Sequence, residues 1–210
     1  MSKPSHREYS IHRRPAFRPE RESFLILCEG ENTEPLYFNA FRLTTATVRA
    51  LPVTTGDAMA VVQAAIKRRK IENNNGKEYD HYWVVFDRDE TPSETFNNAI
   101  RVAQSIGFQV AYSNQAFELW FLLHYDYVSG PLHRNQYANR LGDLIGFLYS
   151  KHKDTARIMF QVLLERQQLA IENAQRLYAQ YDNGSGYRNP AEEESSTTVY
   201  QLVEKLRSFM

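Results

Sequence analysis

The sequence predicts an α/β protein in which a parallel sheet flanked by helices is followed by a helical C-terminal portion. Three observations carry that reading. Residues 24–28 and 82–86 are continuous apolar runs of five, the pattern of strands buried on both faces, and residues 108–112 form a third strand-like segment. Helix-spaced apolar positions separate these segments, and such alternation implies parallel pairing through crossovers. Beyond Leu132 the periodicity is helical only. The expected organisation is a basic, disordered arm over residues 1–22, an α/β domain over 23–130 and a helical extension over 131–210 packed on it.

Phe24-Leu25-Ile26-Leu27-Cys28 ends at Glu29-Gly30, a strand followed by a turn. Leu36, Tyr37, Ala40 and Phe41 then recur at helical spacing, with Asn32 or Thr33 as cap and Pro35 in the first turn. Residues 48–53 read as a short strand that Pro52 confines to an edge or a strand end. Asp57 caps a helix whose stripe is Ala58, Val61, Val62, Ala65 and Ile66. Lys67-Arg68-Arg69-Lys70 fall in its last turns, where cations complement the helix dipole. Thr91-Pro92-Ser93-Glu94 matches a capping box ahead of Phe96, Ala99, Ile100, Ala103 and Ile106, with Gly107 as the stop. Further helices are expected over residues 116–125, 132–150, 156–180 and 197–209.

A chain of 210 residues with 42% hydrophobic and 24% charged side chains has the composition of a globular protein. No apolar run approaches the ~18 to 20 residues that span a bilayer, so no membrane segment is expected. The first 25 residues carry charges and prolines in place of a secretory apolar core, and the single Cys28 cannot form an internal disulfide. Both point to the cytoplasm. The zero net charge divides unevenly. Residues 1–21 hold six bases against two acids, leaving 19 bases against 23 acids in the remainder. The arm is therefore a candidate for phosphate contacts, and the acidic body for a cation.

In open parallel sheets, ligands bind outside the carboxyl ends of the strands. Glu29 directly follows the first strand, and Asp87 and Asp89 follow the strand at 82–86. Residues two apart leaving a strand point the same way, so Asp87 and Asp89 are expected to face one ion. Oxygen-only donors suit Mg²⁺ or Mn²⁺, which keep several waters and take one or two protein carboxylates plus substrate phosphate. Two like charges ~4 Å apart repel by about 4 kcal/mol at an effective dielectric near 20. Converging acids therefore imply a metal or a shared proton. The alternative is that these acids open loops and accept backbone N–H bonds. Glu118 lies in a segment apolar on nearly all sides and needs a partner, either within the core or as a further metal or water ligand. His124 reads as a satisfied helix-end histidine, and Cys28 as a small core residue. Arg88 reads either as a phosphate contact or as a salt-bridge partner.

Cys28-Glu29-Gly30 with Thr33-Glu34-Pro35 and Tyr37-Phe38, then Trp83-Val84-Val85-Phe86-Asp87-Arg88-Asp89, then Ser113-Asn114 before Phe117-Glu118-Leu119-Trp120-Phe121-Leu122-Leu123-His124, resemble the RloB-like family. The resemblance extends to Asn189-Pro190 and Thr197-Thr198-Val199. It implies a Toprim-like sheet over residues 23–130 and a metal-dependent nuclease of bacterial anti-phage loci that acts on DNA or RNA beside a partner ATPase. It further implies that Glu29 acts as acid or base and metal ligand, and that Asp87 and Asp89 bind Mg²⁺. Glu34, Arg88, Asn114 and Glu118 would support the site. Two departures stand out: Gln115 occupies the place of the family's proline after Asn114, and residues 191–196 read as an insertion.

Two other readings stay open. Asp87-Arg88-Asp89-Glu90-Thr91 also resembles the Asp-x-Asp-x-Thr motif of haloacid-dehalogenase-like phosphotransferases, with Asp87 as nucleophile. That chemistry needs a later lysine, for which only Lys151, Lys153 and Lys205 remain, and a further acidic pair. Alternatively, the chain is an inactive partner-binding module whose acids are caps. The sequence leaves the oligomeric state open, a homodimer included.

Overall fold

The computed structural model describes residues 21–54, 56–130 and 132–210, apart from the side chain of Arg134. All but the end of the basic arm lies outside the described residues. Four strands, β1 (Glu22–Cys28), β2 (Ala46–Pro52), β3 (His81–Asp87) and β4 (Gln109–Ser113), form one sheet in the order β2-β1-β3-β4. Every pairing is parallel, with Ile26 opposite both Ala50 and Trp83, and Val85 opposite Ala111. The α/β class and its parallel sheet are as the sequence predicts, and β2 is the edge strand that Pro52 requires.

Alternate residues of the apolar runs enter two separate cores. Phe24, Ile26, Cys28, Trp83 and Val85 pack beneath α1 (Thr33–Asn39) and the C-terminal helices. Leu25, Leu27, Val84, Phe86 and Val110 pack against α2 (Ala58–Asn74) and α3 (Ser93–Ser105). Because helices cover both faces, the central strands carry no polar alternation.

The C-terminal portion contributes α4 (Glu118–Leu122), α5 (Arg134–Ile145), α6 (Lys153–Leu163), α7 (Gln167–Ala179) and α8 (Val199–Arg207). The long helix expected over 156–180 is two helices joined by a 3₁₀ turn at Leu164–Arg166. There the buried Gln167 donates to the Tyr37 hydroxyl (3.2 Å), a tertiary contact no local pattern announces. The helix expected over 116–125 is the five residues of α4. Asp57 caps α2 as expected, accepting from the Ala60 amide (3.0 Å). The capping box does not form: α3 starts after Pro92 without a side-chain cap bond.

The outer edge of β4 is covered from the C-terminus. Ser113 bridges Thr197 in antiparallel fashion, the Thr198 amide donates to the Tyr112 carbonyl (2.8 Å) and the Thr198 hydroxyl accepts from the Tyr112 amide (2.9 Å). A strand edge that would otherwise present unpaired backbone groups is thereby satisfied. Residues 191–196 anchor this cover. The buried Glu193 accepts from the Tyr112 hydroxyl (2.8 Å), the Arg188 guanidinium (2.8 Å) and the Ser196 hydroxyl (3.2 Å).

Candidate functional site

β1 and β3 are neighbours, so the residues that leave their carboxyl ends are brought together. The Glu29 amide donates to the Val85 carbonyl (2.9 Å), extending the ladder by one residue. The Glu29 carboxylate turns back and accepts from the Asp87 amide through Oε2 (2.8 Å). Asp87 accepts from the Phe117 amide through Oδ2 (3.0 Å), whereas its Oδ1 is buried with no hydrogen-bond partner. Asp87 thus joins the end of β3 to the start of α4 and leaves one carboxylate oxygen uncommitted.

Two further acids complete the cluster. Glu34 lies on α1 and is buried beside Gly30. A Cβ at position 30 would sit 1.9 Å from Glu34 Oε2, so glycine is what admits this carboxyl group. Glu118, at the start of α4, is buried and partnered: the Tyr149 hydroxyl donates to Oε1 (2.8 Å) and Lys151 Nζ lies 3.1 Å from Oε2. Its partners come from the α5–α6 connection. The ion pair expected of a buried Glu118 is present, and it stands inside the acidic cluster.

The electrostatics follow from this convergence. Burial raises the Asp87 carboxyl well above its ordinary range; Glu34, Glu29 and Glu118 add to the shift and Lys151 opposes it. Burial likewise lifts Glu34 to about 7, against the pull of its own backbone amide, with Glu118 and Glu29 raising and Lys151 lowering. Desolvation opposes the charge on Lys151, but Glu118, Asp87 and Glu34 outweigh it. The unit that interacts is Glu29, Glu34, Asp87, Glu118 and Lys151.

Other predicted residues serve the frame. Strand geometry stops at Asp87, and Asp89 has a left-handed backbone (φ 42°), so the alternation that would aim both aspartates alike does not reach it. Arg88 donates to the Asp89 carbonyl (3.0 Å) and the Ser93 hydroxyl (3.1 Å), fastening the loop to α3. The buried Asn114 gives its amide to the Pro190 carbonyl (3.0 Å) and the Ser196 hydroxyl (3.2 Å), part of the C-terminal cover. Gln115 has φ 70°, which proline cannot adopt, so this loop follows a path closed to the expected Asn-Pro segment. His124 is buried, with Nδ1 at 2.9 Å from the Trp120 carbonyl. Burial holds the Cys28 thiol well above its ordinary range, with Glu34 adding to the shift.

Sequence reasoning missed Tyr137 and Tyr149, and it named Lys151 only as one of three lysines available to the phosphotransferase reading. Among the described residues, no group of three or more Asp, Glu, His or Cys side chains forms a ready-made metal cage. The donor set fits a looser demand: a hard ion that keeps most of its waters needs one or two carboxylates, and the buried, unpartnered Asp87 Oδ1 supplies such an oxygen.

Fold and site define the class: a parallel α/β protein with paired carboxylates at the carboxyl ends of its central strands, roofed by C-terminal helices. A family model for RloB-like proteins matches residues 24–206, and the chain belongs to that family. Residues 191–196 lie within the matched span and pack into the cover of β4 through Glu193 and Ser196. No curated protein and no solved structure matches the chain significantly. Among the described residues, no helix is long and apolar enough to cross a membrane.

Proposed function

We propose that this protein is a Mg²⁺-dependent, Toprim-like nuclease, the effector of a bacterial anti-phage system with a partner ATPase. The observation that carries the reading is the Glu29–Asp87 pair across the ends of β1 and β3, with Asp87 Oδ1 buried and uncommitted. Family membership supports the defence context and the ATPase partner.

Asp87 and Glu29 would hold Mg²⁺ or Mn²⁺, which when bound would supply charge stabilisation at the scissile phosphate and a more acidic water. Glu34, with a pKa of about 7, suits proton transfer near neutrality: it would take the proton as water attacks phosphorus, while a solvent water would give a proton to the leaving oxygen as the P–O bond breaks. Lys151, the cation beside the cluster, would hold the substrate's phosphate rather than take part in the bond-breaking step.

The test incubates the purified protein, with and without its ATPase, with DNA and RNA in Mg²⁺, Mn²⁺ or EDTA. Cleavage should require the metal and disappear in Glu29→Gln and Asp87→Asn; cleavage that survives in the double variant refutes the assignment. Mg²⁺ should raise the melting temperature of the wild type and not of Asp87→Asn. Equal shifts would make the carboxylates purely structural, as a partner-binding module requires. The phosphotransferase reading needs a lysine near the nucleophilic aspartate, and Lys151, ion-paired with Glu118, stands in the same cluster as Asp87. Hydrolysis of a phosphate monoester through an acid-stable acyl-phosphate on Asp87, with diesters untouched, would select it.

A further inference from the structure

A cavity of about 320 Å³ opens beside the carboxylates, lined by Ala116 and Glu118 from the α4 side, Asn135, Tyr137 and Ala138 from α5, and Tyr149 to Lys151 from the α5–α6 connection. Its volume is at the lower end of the range that takes small ligands. The Tyr137 side chain is 1% exposed, and its hydroxyl has no hydrogen-bond partner although it belongs to the wall of this cavity. A buried hydroxyl without a partner is unfavourable, so it marks a place where a ligand atom or water completes the structure. Burial, Asp87 and Glu118 all raise its pKa, which keeps it a proton donor at neutral pH.

Lys151 is the one cation among the described residues that line the cavity. An ammonium carries three N–H donors, and Glu118 occupies one side of it while the side chain remains 58% exposed. The cavity wall therefore holds two donors, the largely exposed Lys151 ammonium and the buried Tyr137 hydroxyl, together with Tyr149, Ala116 and Ala138. An anionic group joined to a flat, weakly polar body matches this lining. We infer that this cavity seats one nucleotide unit of the substrate, its phosphate held by Lys151 and the Tyr137 hydroxyl within reach of Asp87. The inference rests on the nuclease reading and adds to it that the helical portion supplies the substrate-holding wall.

The test uses the full chain and short fluorescent single-stranded DNA and RNA oligonucleotides in Mg²⁺. Tyr137→Phe keeps the ring and removes only the hydroxyl, and Lys151→Gln changes a largely exposed side chain. The expected result is a KM raised about fivefold by the first and about tenfold by the second, with kcat within about twofold and Lys151→Arg restoring most of the loss. Wild-type cleavage with KM unchanged in both variants overturns the subsite and leaves the nuclease reading intact, and a fall in kcat alone does the same. Should the wild type cleave neither oligonucleotide, fluorescence anisotropy in the same buffer decides. Binding that weakens in both variants retains the subsite while the nuclease reading fails, and no binding, or equal binding by all three proteins, overturns the subsite.

Discussion

Glu34→Gln should stabilise the protein at alkaline pH and leave it unchanged in acid. In the folded chain the Glu34 carboxyl is lifted from 4.5 to about 7, chiefly by burial, whereas in the unfolded chain it titrates near its ordinary value. The folded state therefore holds a proton that the unfolded state has released. Stability from this group is fully present below pH 4.5 and is lost as pH rises through 7. At about 1.36 kcal/mol per pKa unit, a shift of about 2.5 units corresponds to about 3 kcal/mol, developed between pH 4.5 and 7. Glutamine mimics the protonated acid at every pH, so the variant should gain about 3 kcal/mol at pH 8, or about 6 to 12 °C in a chain of this size. Urea denaturation of both proteins in EDTA across pH 4.5 to 8.5 measures the difference. The difference must be read, because His124 titrates with opposite sign over much of the same range. A wild-type-minus-variant stability that does not change with pH would refute the placement of Glu34 in a buried acidic cluster. Mg²⁺ should shrink the difference if its charge offsets the carboxylates.

Burial lowers the His124 imidazole from 6.5 to about 4, so its contribution is complete above pH 6.5 and lost as pH falls through 4. His124→Phe should flatten that acid limb by about 3 kcal/mol in the same titration, and an unchanged limb would show the ring to be hydrated. Glu193→Ala strands the Arg188 guanidinium, which lies 3.5 Å over the Tyr178 ring, and the Tyr112 hydroxyl. A loss of about 2 to 4 kcal/mol in denaturation is expected, partly recovered by adding Arg188→Met; strict additivity would deny the network.

The strands and the first two site acids were legible because burial on both sheet faces leaves an apolar run, and because a parallel sheet collects its strand ends. That logic located Glu29 and Asp87 on adjacent strands. It failed at Asp89, since period-two alternation ends where the backbone turns left-handed one residue past Arg88. It failed differently at Tyr137, Tyr149 and Lys151. These residues sit in a helical region whose pattern tells which face is apolar and not which end overlies a distant strand. The orientation of α5 and its connection is set by Glu118 accepting from Tyr149 and Lys151, a contact between segments about 30 residues apart. The break between α6 and α7 was hidden for the same reason, since Gln167 is held by Tyr37 on α1.

This dependence makes the boundary at residue 130 a testable matter. Phe24, Trp83 and Trp120 on the earlier side share one buried cluster with Leu141, Met159, Ile171 and Leu202 on the later side. Phe24 also meets the ring of Phe209, with centroids 5.5 Å apart, and the Thr44 amide donates to the Phe209 carbonyl (2.8 Å). Removing residues 131–210 would expose that face of the sheet and uncover the β4 edge at Tyr112 and Ser113. It would also strip Glu118 of both its partners, Tyr149 and Lys151. Since a domain's whole stability is about 5 to 15 kcal/mol, residues 23–130 alone should show neither cooperative thermal unfolding nor dispersed amide resonances. A cooperative transition in that fragment would mean that the helical roof is an independent attachment, and that the carboxylates keep their arrangement without Lys151.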